Sequence, residues 1–456
     1  MSAKASDSGE NSPMKWKRYP VYKPSGVEWL GEIPKDWNAG KIRYFCKVLT
    51  GGTPNRDHPE FWEGGTIPWM SSGEVNNRLI TDTTEKITPH ALENSNAKLL
   101  PINSVMIALN GQGRTKGMAA ILQISASCNQ SLAAIICNSR KLHYFYLYHY
   151  LRSRYKEIRG LVGDDERDGL NLEIVRSLPI YLPPLPEQFS IATFLDRETA
   201  RIDALIEKKE RQIELLKEKR AALISHAITK GLDHSVKMKD SGVDWLGKIP
   251  AHWTVERIKW VAKLDSGHTP SKQVEEYWID CNIPWVSLND TGYLKNHDYI
   301  AETSQCISEL GMANSSAHLL PERTVVFTRD ATIGLAAITT RPMAVSQHII
   351  AWICGSKIWP DYLLFVFYSM TQELERLTMG STIKTIGMPD VFELVTPVPP
   401  LEEQKKIADS IFRKKMQINK IVEKISESIV ELHEYRSALI SAAVTGKIDV
   451  RQEAKA

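Results

Sequence analysis

Two long stretches of the chain repeat apolar residues in steps of three, four and seven, apart from a last step of ten in the second stretch. In the first stretch, apolar residues recur at positions 191, 195, 202, 206, 213, 216, 223 and 227. In the second, they recur at positions 407, 411, 418, 422, 425, 429 and 439. This spacing predicts long helices with a narrow apolar seam, and prolines before each run and a glycine after it mark the ends. The helices are predicted over residues 182–231 and 398–448.

The two predicted helices belong to a repeat that covers most of the chain. Ser25–Trp37 reappears as Ser241–Trp253, a shift of 216 positions, and 20 of the 47 residues in 25–71 are identical to those at the shifted positions. The same shift relates both ends of the helical runs, so the helices are predicted to have equal length. A long helix with one narrow seam needs a partner, and the matching helix provides it. We therefore predict an antiparallel coiled coil with pseudo-twofold symmetry.

Short apolar runs between glycine turns predict buried strands in both halves. Ser104–Leu109 and Met118–Leu122 have counterparts in Thr324–Thr328 and Leu335–Ile338. The predicted fold class is α+β, with two tandem mixed α/β domains that are each followed by a long helix. The predicted segments are a disordered leader (1–19), a first domain (20–181), the first helix (182–231), a second domain (232–397), the second helix (398–448) and a tail (449–456).

Composition places few limits on function. The 456 residues, of which 43% are hydrophobic, are enough for two to four domains, and the formal net charge of +3 neither requires nor excludes nucleic acid. The six cysteines show no metal-site spacing and are expected to be reduced thiols. No signal peptide is recognised, and no apolar run reaches the roughly 18 residues of a membrane helix. We expect a soluble, cytoplasmic protein with no membrane contact.

The search for catalytic motifs argues against an enzyme. The chain contains no G-x-x-x-x-G-K-[ST] phosphate loop, no H-E-x-x-H and no G-x-S-x-G. Gly111–Gly117 has the spacing G-x-G-x-x-x-G, which misses the dinucleotide fingerprint. The twelve histidines do not cluster. No catalytic residue, bound cofactor or metal is therefore expected in this chain.

Eight of the twelve tryptophans form four matched pairs at positions 29/245, 37/253, 62/278 and 69/285. Packing residues are the favoured interpretation, because aromatic side chains dominate protein cores. Base stacking is the alternative. Matched pairs argue against it if the two halves bind different sequences.

Recognition chemistry is concentrated in polar loops that differ between the two halves. Amide side chains read adenine edges, arginine reads guanine and lysine contacts phosphate. An ordinary polar turn or a solvated linker is the alternative for each loop. The candidate DNA-binding residues are Ser71, Ser72, Asn76, Asn110, Gln112, Arg114, Lys116, Arg167 and Asn171 in the first half, and Ser287, Asn289, Arg329, Thr332, Ser381, Thr382 and Lys384 in the second. Different loops on one scaffold predict a DNA target split into two different half-sites.

These repeated motifs resemble those of a known family, the specificity (S) subunits of type I restriction–modification systems. The motifs are S-G-V-[ED]-W-L-G-x-I-P-x-x-W, G-x-T-P followed by I-P-W, Gln130 within Cys-Asn-Gln-Ser-Leu-Ala-Ala, and P-P-L-x-E-Q at the start of each helix. The resemblance covers almost all of residues 20–450. It implies that the two domains are target recognition domains, each reading one half of a bipartite DNA sequence, and that the helices separate them.

The resemblance also implies partner subunits. Two adenine-N6 methyltransferase subunits would dock on the helices, with Glu187, Gln188, Glu403 and Gln404 as candidate contacts, although acids at a helix N-terminus also have a purely structural explanation. ATP-dependent translocating endonuclease subunits would join the complex. S-adenosylmethionine, ATP and magnesium would belong to these partners. The sequence leaves two rival functions, a stand-alone DNA-binding regulator and a coiled-coil scaffold without nucleic acid.

Overall fold

The structure is a computed structural model that describes residues 16–26, 31–111, 113–162, 169–378 and 384–453. The chain forms two compact units. The first consists of Met1–Lys208 and Glu427–Ala456, and the second of Lys209–Ser426. Each long helix therefore contributes one part to each unit.

The helices and strands are numbered in chain order. The helices are α1 (Pro89–Glu93), α2 (Tyr144–Ser153), α3 (Tyr155–Gly160), α4 (Leu172–Ser177), α5 (Leu185–Lys230), α6 (Ile258–Val261), α7 (Thr291–Leu294), α8 (Glu309–Ala313), α9 (Pro360–Ser369), α10 (Thr371–Arg376), α11 (Met388–Glu393) and α12 (Leu401–Val444). The strands of the first unit are β1 (Tyr22–Pro24), β2 (Glu32–Pro34), β3 (Asn38–Lys41), β4 (Cys46–Thr50), β5 (Ile67–Met70), β6 (Leu79–Ile80), β7 (Glu85–Ile87), β8 (Val105–Ala108), β9 (Ala119–Leu122), β10 (Ser127–Cys128), β11 (Leu132–Cys137) and β12 (Pro179–Leu182). Those of the second unit are β13 (Met238–Asp240), β14 (Lys248–Pro250), β15 (Thr254–Arg257), β16 (Ala262–Ser266), β17 (Ile283–Val286), β18 (Tyr299–Ile300), β19 (Cys306–Ile307), β20 (Val325–Thr328), β21 (Ala336–Thr339), β22 (Ala344–Val345), β23 (Ile349–Cys354) and β24 (Val395–Val398).

A five-stranded sheet is the centre of the first unit. Its strand order is β4-β11-β8-β9-β6, with β11 antiparallel to both β4 and β8 and with β6 parallel to β9. Side chains alternate across a sheet, so Val105 and Ile107 pack into one hydrophobic core while Met106 and Ala108 pack into another on the opposite face. Burial on both faces explains why β8 and β9 read as continuous apolar runs, and it confirms the predicted buried strands.

The second unit repeats this topology. Its five-stranded sheet has the order β16-β23-β20-β21-β18. A three-stranded sheet accompanies each large sheet, with the order β10-β5-β7 in the first unit and β22-β17-β19 in the second. The sequence repeat is therefore a structural repeat, and the predicted α+β class with two mixed domains and two long helices is confirmed.

The two long helices pack antiparallel within each unit. In the first unit, Ile202 and Ile206 of α5 are buried in the same core as Leu439 and Ile440 of α12. These residues occupy the predicted seams or positions next to them, so tertiary packing buries the stripe that the periodicity indicated.

Equivalent polar pairs cross the helix seam in the two units. In the first unit, Nε of Arg436 lies 2.8 Å from a carboxylate oxygen of Asp203. In the second, Arg220 donates to the side-chain oxygen of Asn419 over 2.6 Å. The 216-residue shift relates the two arginines to each other and Asp203 to Asn419, so each unit contains the same cross-helix contact with a different acceptor.

A buried tryptophan joins the start of one helix to the end of the other. In the first unit, the indole of Trp37 donates to Glu187 over 2.9 Å, and its ring lies 3.3 Å from where a Cβ at Gly446 would be. Gly446 has φ of +73°, the left-handed conformation of a glycine that ends a helix. Trp253 donates to Glu403 in the same way in the second unit, over 3.1 Å.

Residues from the predicted leader and the predicted tail both pack into the core of the first unit. Trp16 packs edge-on against Phe194, and Tyr19 is only 6% exposed, although both lie in the predicted leader. Val450, in the predicted tail, is completely buried. Apolar side chains at the two chain ends therefore contribute to one core; residues 1–15 lie outside the described part of the chain.

Candidate nucleic-acid interface

Three polar segments meet at one edge of the five-stranded sheet in the first unit. Gly51–Thr53 follow the end of β4, Asn110 is the second residue after β8, and Asn129–Ser131 precede β11. They lie together because β11 is antiparallel to both β4 and β8, so its start is next to their ends. The amide of Gly52 donates to the carbonyl of Cys128 over 2.9 Å, which fixes the first segment against the third.

The first glycine of this edge is required by close backbone packing. A Cβ at Gly51 would lie 1.8 Å from the carbonyl oxygen of Cys128. In the second unit, a Cβ at Gly267 would lie 1.6 Å from the carbonyl oxygen of Val345. The matched glycines of the G-x-T-P motif thus allow the chain to cross directly over the neighbouring strand.

Two tryptophan indoles hydrogen-bond to the backbone in and next to the G-x-T-P segment of the first unit. The indole of Trp69 donates to the carbonyl of Gly52 over 3.0 Å, and that of Trp62 donates to the carbonyl of Asn55 over 3.2 Å. The two rings pack edge to face with centroids 5.1 Å apart. The backbone is therefore fixed on both sides of Thr53.

The second unit contains the same arrangement. The indoles of Trp285 and Trp278 donate to the carbonyls of His268 and Ser271 over 3.1 and 3.0 Å, and their rings lie 5.3 Å apart. Trp69 and Trp285 are each 3% exposed, and Trp37 and Trp253 are completely buried. Packing is thus confirmed as the role of the pairs 37/253 and 69/285.

The fixed threonine of each unit holds a glutamine. The hydroxyl of Thr53 donates to Oε1 of Gln130 over 2.6 Å, and the hydroxyl of Thr269 donates to Oε1 of Gln347. Both glutamines are exposed. In the sequence, Gln130 stands out only as part of a motif, and an alignment of the two halves with one added residue makes Gln347 its counterpart.

The loop after β8 contains three described candidate residues of the first unit. Asn110 and Arg114 are exposed. The hydroxyl of Tyr155 on α3 donates to the carbonyl of Arg114 over 2.9 Å, which holds the loop on that helix. Lys116 is only 5% exposed, so its side chain is covered in this conformation, and its contact with phosphate stays a prediction. Gln112 lies outside the described residues.

The segment that leads back to α5 passes next to this loop. The amide of Leu170 donates to the carbonyl of Leu109 over 2.9 Å. Asn171 is exposed, and its side-chain oxygen accepts the amide of Ile174 over 2.9 Å, so it caps α4. Its polar side chain is therefore already used by the fold. Arg167 lies outside the described residues.

The equivalent loop of the second unit is built around a buried carboxylate. Nδ1 of His348 lies 2.6 Å from Asp330, Thr385 donates to the same carboxylate, and Arg329 lies 3.4 Å away. Burial raises the pKa of Asp330, but the hydrogen bonds from Thr385 and His348 and the charge of Arg329 outweigh it, so the pKa lies below its usual value. Sequence reasoning missed Asp330 and His348, because only the fold brings them together.

The remaining candidates of this loop and its neighbour are partly accessible. Thr332 and Lys384 are exposed, and Arg329 is half-buried. The amide of Ala331 donates to the carbonyl of Lys384 over 2.8 Å, so the two candidate segments are adjacent. Ser381 and Thr382 lie outside the described residues.

The loop after Ile-Pro-Trp begins a short 3-10 helix in the first unit (Ser72–Asn76). The amide of Ser71 donates to Glu74 over 2.6 Å, and both Ser71 and Ser72 are half-buried. Asn76 is exposed and donates to the carbonyl of Gly73 over 2.9 Å. Asn76 is the most accessible of these three candidates.

The counterpart in the second unit is more buried. Ser287 is 5% exposed and its amide donates to Asp290 over 2.8 Å, so its side chain is covered in this conformation, and its contact with DNA stays a prediction. Asn289 is exposed and donates to the side chain of Gln305 over 3.1 Å. Ser287 and Asp290 form a capping box, which gives the serine a structural role here.

The two candidate glutamines for methyltransferase contact are fully buried. Gln188 accepts the amide of His143 over 2.8 Å and donates to the carbonyls of Lys141 and Pro183 over 3.0 and 2.9 Å. Gln404 makes the three equivalent bonds in the second unit. Both side chains join the start of a helix to the loop before α2 or α9, so neither presents a surface to another subunit.

The two candidate glutamates differ in exposure. Glu187 is 7% exposed and accepts hydrogen bonds from Tyr19 and Trp37. The side chain of Glu403 is 31% exposed and lies 2.9 Å from Nε2 of His252. Of the four candidates, Glu403 is therefore the one with a substantially accessible side chain.

One pair of cysteines departs from the predicted reduced state. Cys281 and Cys306 are joined in a disulfide with Cα atoms 5.5 Å apart. Cys281 lies just before β17 and Cys306 begins β19, and these strands are antiparallel neighbours. Strand pairing thus brings together residues whose spacing of 25 positions suggested no link.

Within the ranges that the structure describes, no group of three or more histidine, cysteine or acidic side chains could hold a metal ion. In the same ranges, no helix is both long enough and apolar enough to cross a membrane.

Residues 34–215 and 250–431, which together make up more than half of the chain, match the family model for the type I restriction modification DNA specificity domain. The chain belongs to this family. The two matched stretches correspond to the two halves of the repeat, so a specificity domain occurs in each. The resemblance proposed from the motifs is confirmed, and with it the class of a recognition subunit rather than an enzyme.

Curated relatives extend this assignment. The type I restriction enzyme MjaIX specificity subunit of Methanocaldococcus jannaschii is 32% identical over 191 residues, which are 40% of this chain and 43% of the relative. The EcoR124I/EcoR124II specificity subunit of Escherichia coli is 31% identical over 42% of this chain and 46% of its own length. The chain thus spans less than half the length of these two relatives. The MjaVIII specificity subunit of M. jannaschii is 23% identical over 92% of this chain and 94% of its own length.

Solved structures share the fold. A chain from a study of complex assembly and conformational transition of the type I restriction–modification system has a TM-score of 0.71 at 16% identity, covering 90% of this chain and 98% of its own length. The HsdS subunit of Thermoanaerobacter tengcongensis has a TM-score of 0.58 at 16% identity, covering 93% and 100%. At these identities the likeness concerns the fold alone.

Proposed function

We propose that this specificity-family chain recognises a bipartite, asymmetric DNA sequence, with one half-site read by each unit. In this proposal, the exposed candidates Asn76, Asn110 and Arg114 contribute to the first half-site. Asn289, Arg329, Thr332 and Lys384 contribute to the second.

The proposal is supported by one observation: the two units share the same fold but carry different polar side chains in the equivalent loops. The loop after β8 presents Asn110 and Arg114, whereas the equivalent loop after β20 presents Arg329 and Thr332. Amide and guanidinium groups form different hydrogen-bond patterns with base edges, so these two surfaces suit different base pairs. An identical pair of half-sites would need identical loops.

We further propose that the chain directs the activity of partner subunits. Two methyltransferase subunits would carry out adenine-N6 methylation with S-adenosylmethionine, and restriction subunits would cleave DNA with ATP and magnesium. The curated relatives are named as subunits of type I restriction enzymes, which supports the existence of such partners. Because Gln188 and Gln404 are buried, the docking surface on this chain would consist of exposed residues of the helices.

The test is long-read sequencing of methylated adenines in the source genome, with and without this gene. A split methylated motif that disappears when the gene is deleted supports the proposal and identifies both half-sites and the gap. Intact methylation with loss of transcriptional control at nearby genes would instead support a stand-alone DNA-binding regulator.

A further inference from the structure

Each unit uses several matched residues to fix one exposed amide. A glycine lets the G-x-T-P segment cross the neighbouring strand, and two indoles hold the backbone on both sides of the threonine. The threonine hydroxyl then donates to Oε1 of the glutamine. In the first unit, the hydroxyl of Thr50 also donates to the carbonyls of Gln130 and Leu132, over 3.3 and 3.0 Å, which fixes the glutamine backbone.

The hydrogen bond from threonine determines which group of the glutamine faces solvent. Because Oε1 accepts the hydroxyl, Nε2 is left as a donor. Within the described part of the chain, Nε2 of Gln130 has no hydrogen-bond partner, and Nε2 of Gln347 has only Nε2 of His348, at 3.3 Å. Both units therefore present an oriented NH₂ group at the sheet edge.

This donor lies among the residues that differ between the units. Gln130 is next to Ser131, whose carbonyl accepts the amides of Leu109 and Asn110 over 2.8 and 3.5 Å. Gln347 precedes His348, whose carbonyl accepts the amide of Arg329 over 3.1 Å. An identical donor beside two different loops suits a feature that both half-sites share, and the phosphate backbone is that feature.

We infer that the Thr53–Gln130 and Thr269–Gln347 pairs are sequence-independent DNA contacts, in which each glutamine NH₂ donates to a backbone phosphate. This inference rests on the proposed DNA recognition. The pairs position the duplex on each unit, and the variable loops then read the bases.

The test compares Gln→Ala and Gln→Glu variants of the full chain, in the assembly that the tagged chain forms in its own cells. Two labelled duplexes serve as probes: one selected by the wild-type assembly from a random library, and one with the same composition in scrambled order. Gln130→Ala should weaken binding to both duplexes about tenfold, as expected for a lost hydrogen bond to a charged oxygen. Gln347→Ala should do the same, and the double variant should lose about a hundredfold.

Gln130→Glu separates DNA contact from a structural role. A glutamate keeps the acceptor for the hydroxyl of Thr53 but replaces the NH₂ donor with a negatively charged oxygen. Repulsion from phosphate should make this variant bind more weakly than Gln130→Ala. A purely structural pair would instead tolerate glutamate and fail with alanine, with a matching loss of thermal stability.

Gln123→Ala is the matched control, because this exposed glutamine follows β9 at the opposite edge of the same sheet. It should bind both duplexes as the wild type does. Wild-type affinity of the alanine variants, or lost discrimination at one half-site only, would overturn the inference while DNA recognition stands. Failure of the wild-type assembly to bind either duplex would overturn the proposed function as well.

Discussion

Replacement of Glu187 by alanine should destabilise the first unit by about 3–5 kcal/mol. The hydroxyl of Tyr19 (2.5 Å) and the indole of Trp37 (2.9 Å) both donate to Oε1 of this carboxylate. A hydrogen bond to a charged group contributes about 1.5–3 kcal/mol, and the two donors would remain buried without a partner. Glu187→Gln should cost only about 1 kcal/mol, because an amide oxygen can accept both donors.

Glu403 is the matched control for this prediction. It accepts hydrogen bonds from Trp253 and His252 at the same point of the second unit, but its side chain is 31% exposed and that of His252 is 45% exposed. Water can replace the lost acceptor there, so Glu403→Ala should cost only about 1–2 kcal/mol.

Hydrogen–deuterium exchange read by mass spectrometry measures the two units separately in the full chain. In Glu187→Ala, peptides from residues 31–44 and 439–450 should exchange roughly a hundredfold to several thousandfold faster, while peptides from 247–260 should be unchanged. Glu403→Ala should show a smaller effect, confined to the second unit.

Two results would refute this reasoning. Equal, small losses in Glu187→Ala and Glu403→Ala would show that burial does not set the strength of these contacts. Wild-type exchange in Glu187→Ala, together with lost capture of the methyltransferase, would assign the carboxylate to subunit contact as the motif first suggested.

Three further predictions concern recognition and acid stability. Arg114→Ala should lower affinity for the first half-site alone, by roughly 1–3 kcal/mol, in binding assays with duplexes altered in one half-site at a time; equal losses at both half-sites would remove Arg114 from base reading. Removal of the matched heptads 210–216 and 426–432 should change the tolerated gap between half-sites and leave their sequences unchanged, as read by methylated-adenine sequencing; an unaltered gap would contradict the spacer role. Burial and nearby arginines lower the pKa of His149 to about 3, so the unfolded chain binds a proton between that value and pH 6.5 and the folded chain does not. From pH 7 to pH 5 this group should therefore reduce the stability of the first unit by about 2 kcal/mol. His149→Phe, which introduces the residue found at the matched position 365, should abolish that part of the pH dependence in urea unfolding, and an unchanged dependence would assign it to other groups.

Several features of this protein could be read from its sequence because they depend on local pattern. The steps of three and four predict a helix wherever they occur, and proline and glycine mark its ends through backbone geometry alone. The structure places α5 at Leu185–Lys230 with Gly231 after it, as this pattern indicated. The repeat is likewise visible without coordinates, since two copies of one sequence motif adopt one topology.

The roles of individual polar side chains were decided by tertiary structure. Lys116 and Ser287 are in loops, but neighbouring elements cover them in this conformation. Gln188 is in a motif that suggested a binding surface, yet it bonds to backbone groups more than 40 residues away in the chain. Residue type and spacing do not contain this information, because burial depends on what packs against a side chain.

In the candidate interface, too, the sequence contains the residues and the tertiary structure decides how they are connected. Both halves contain G-x-T-P and a later glutamine, so the parts were present in the sequence. Their connection depends on β11 pairing antiparallel with β4, which brings Gln130 next to Thr53, 77 positions earlier. Local patterns determine helices, strands and repeats because their causes lie within a few residues. A site assembled from distant strand ends is decided only when the sheet forms.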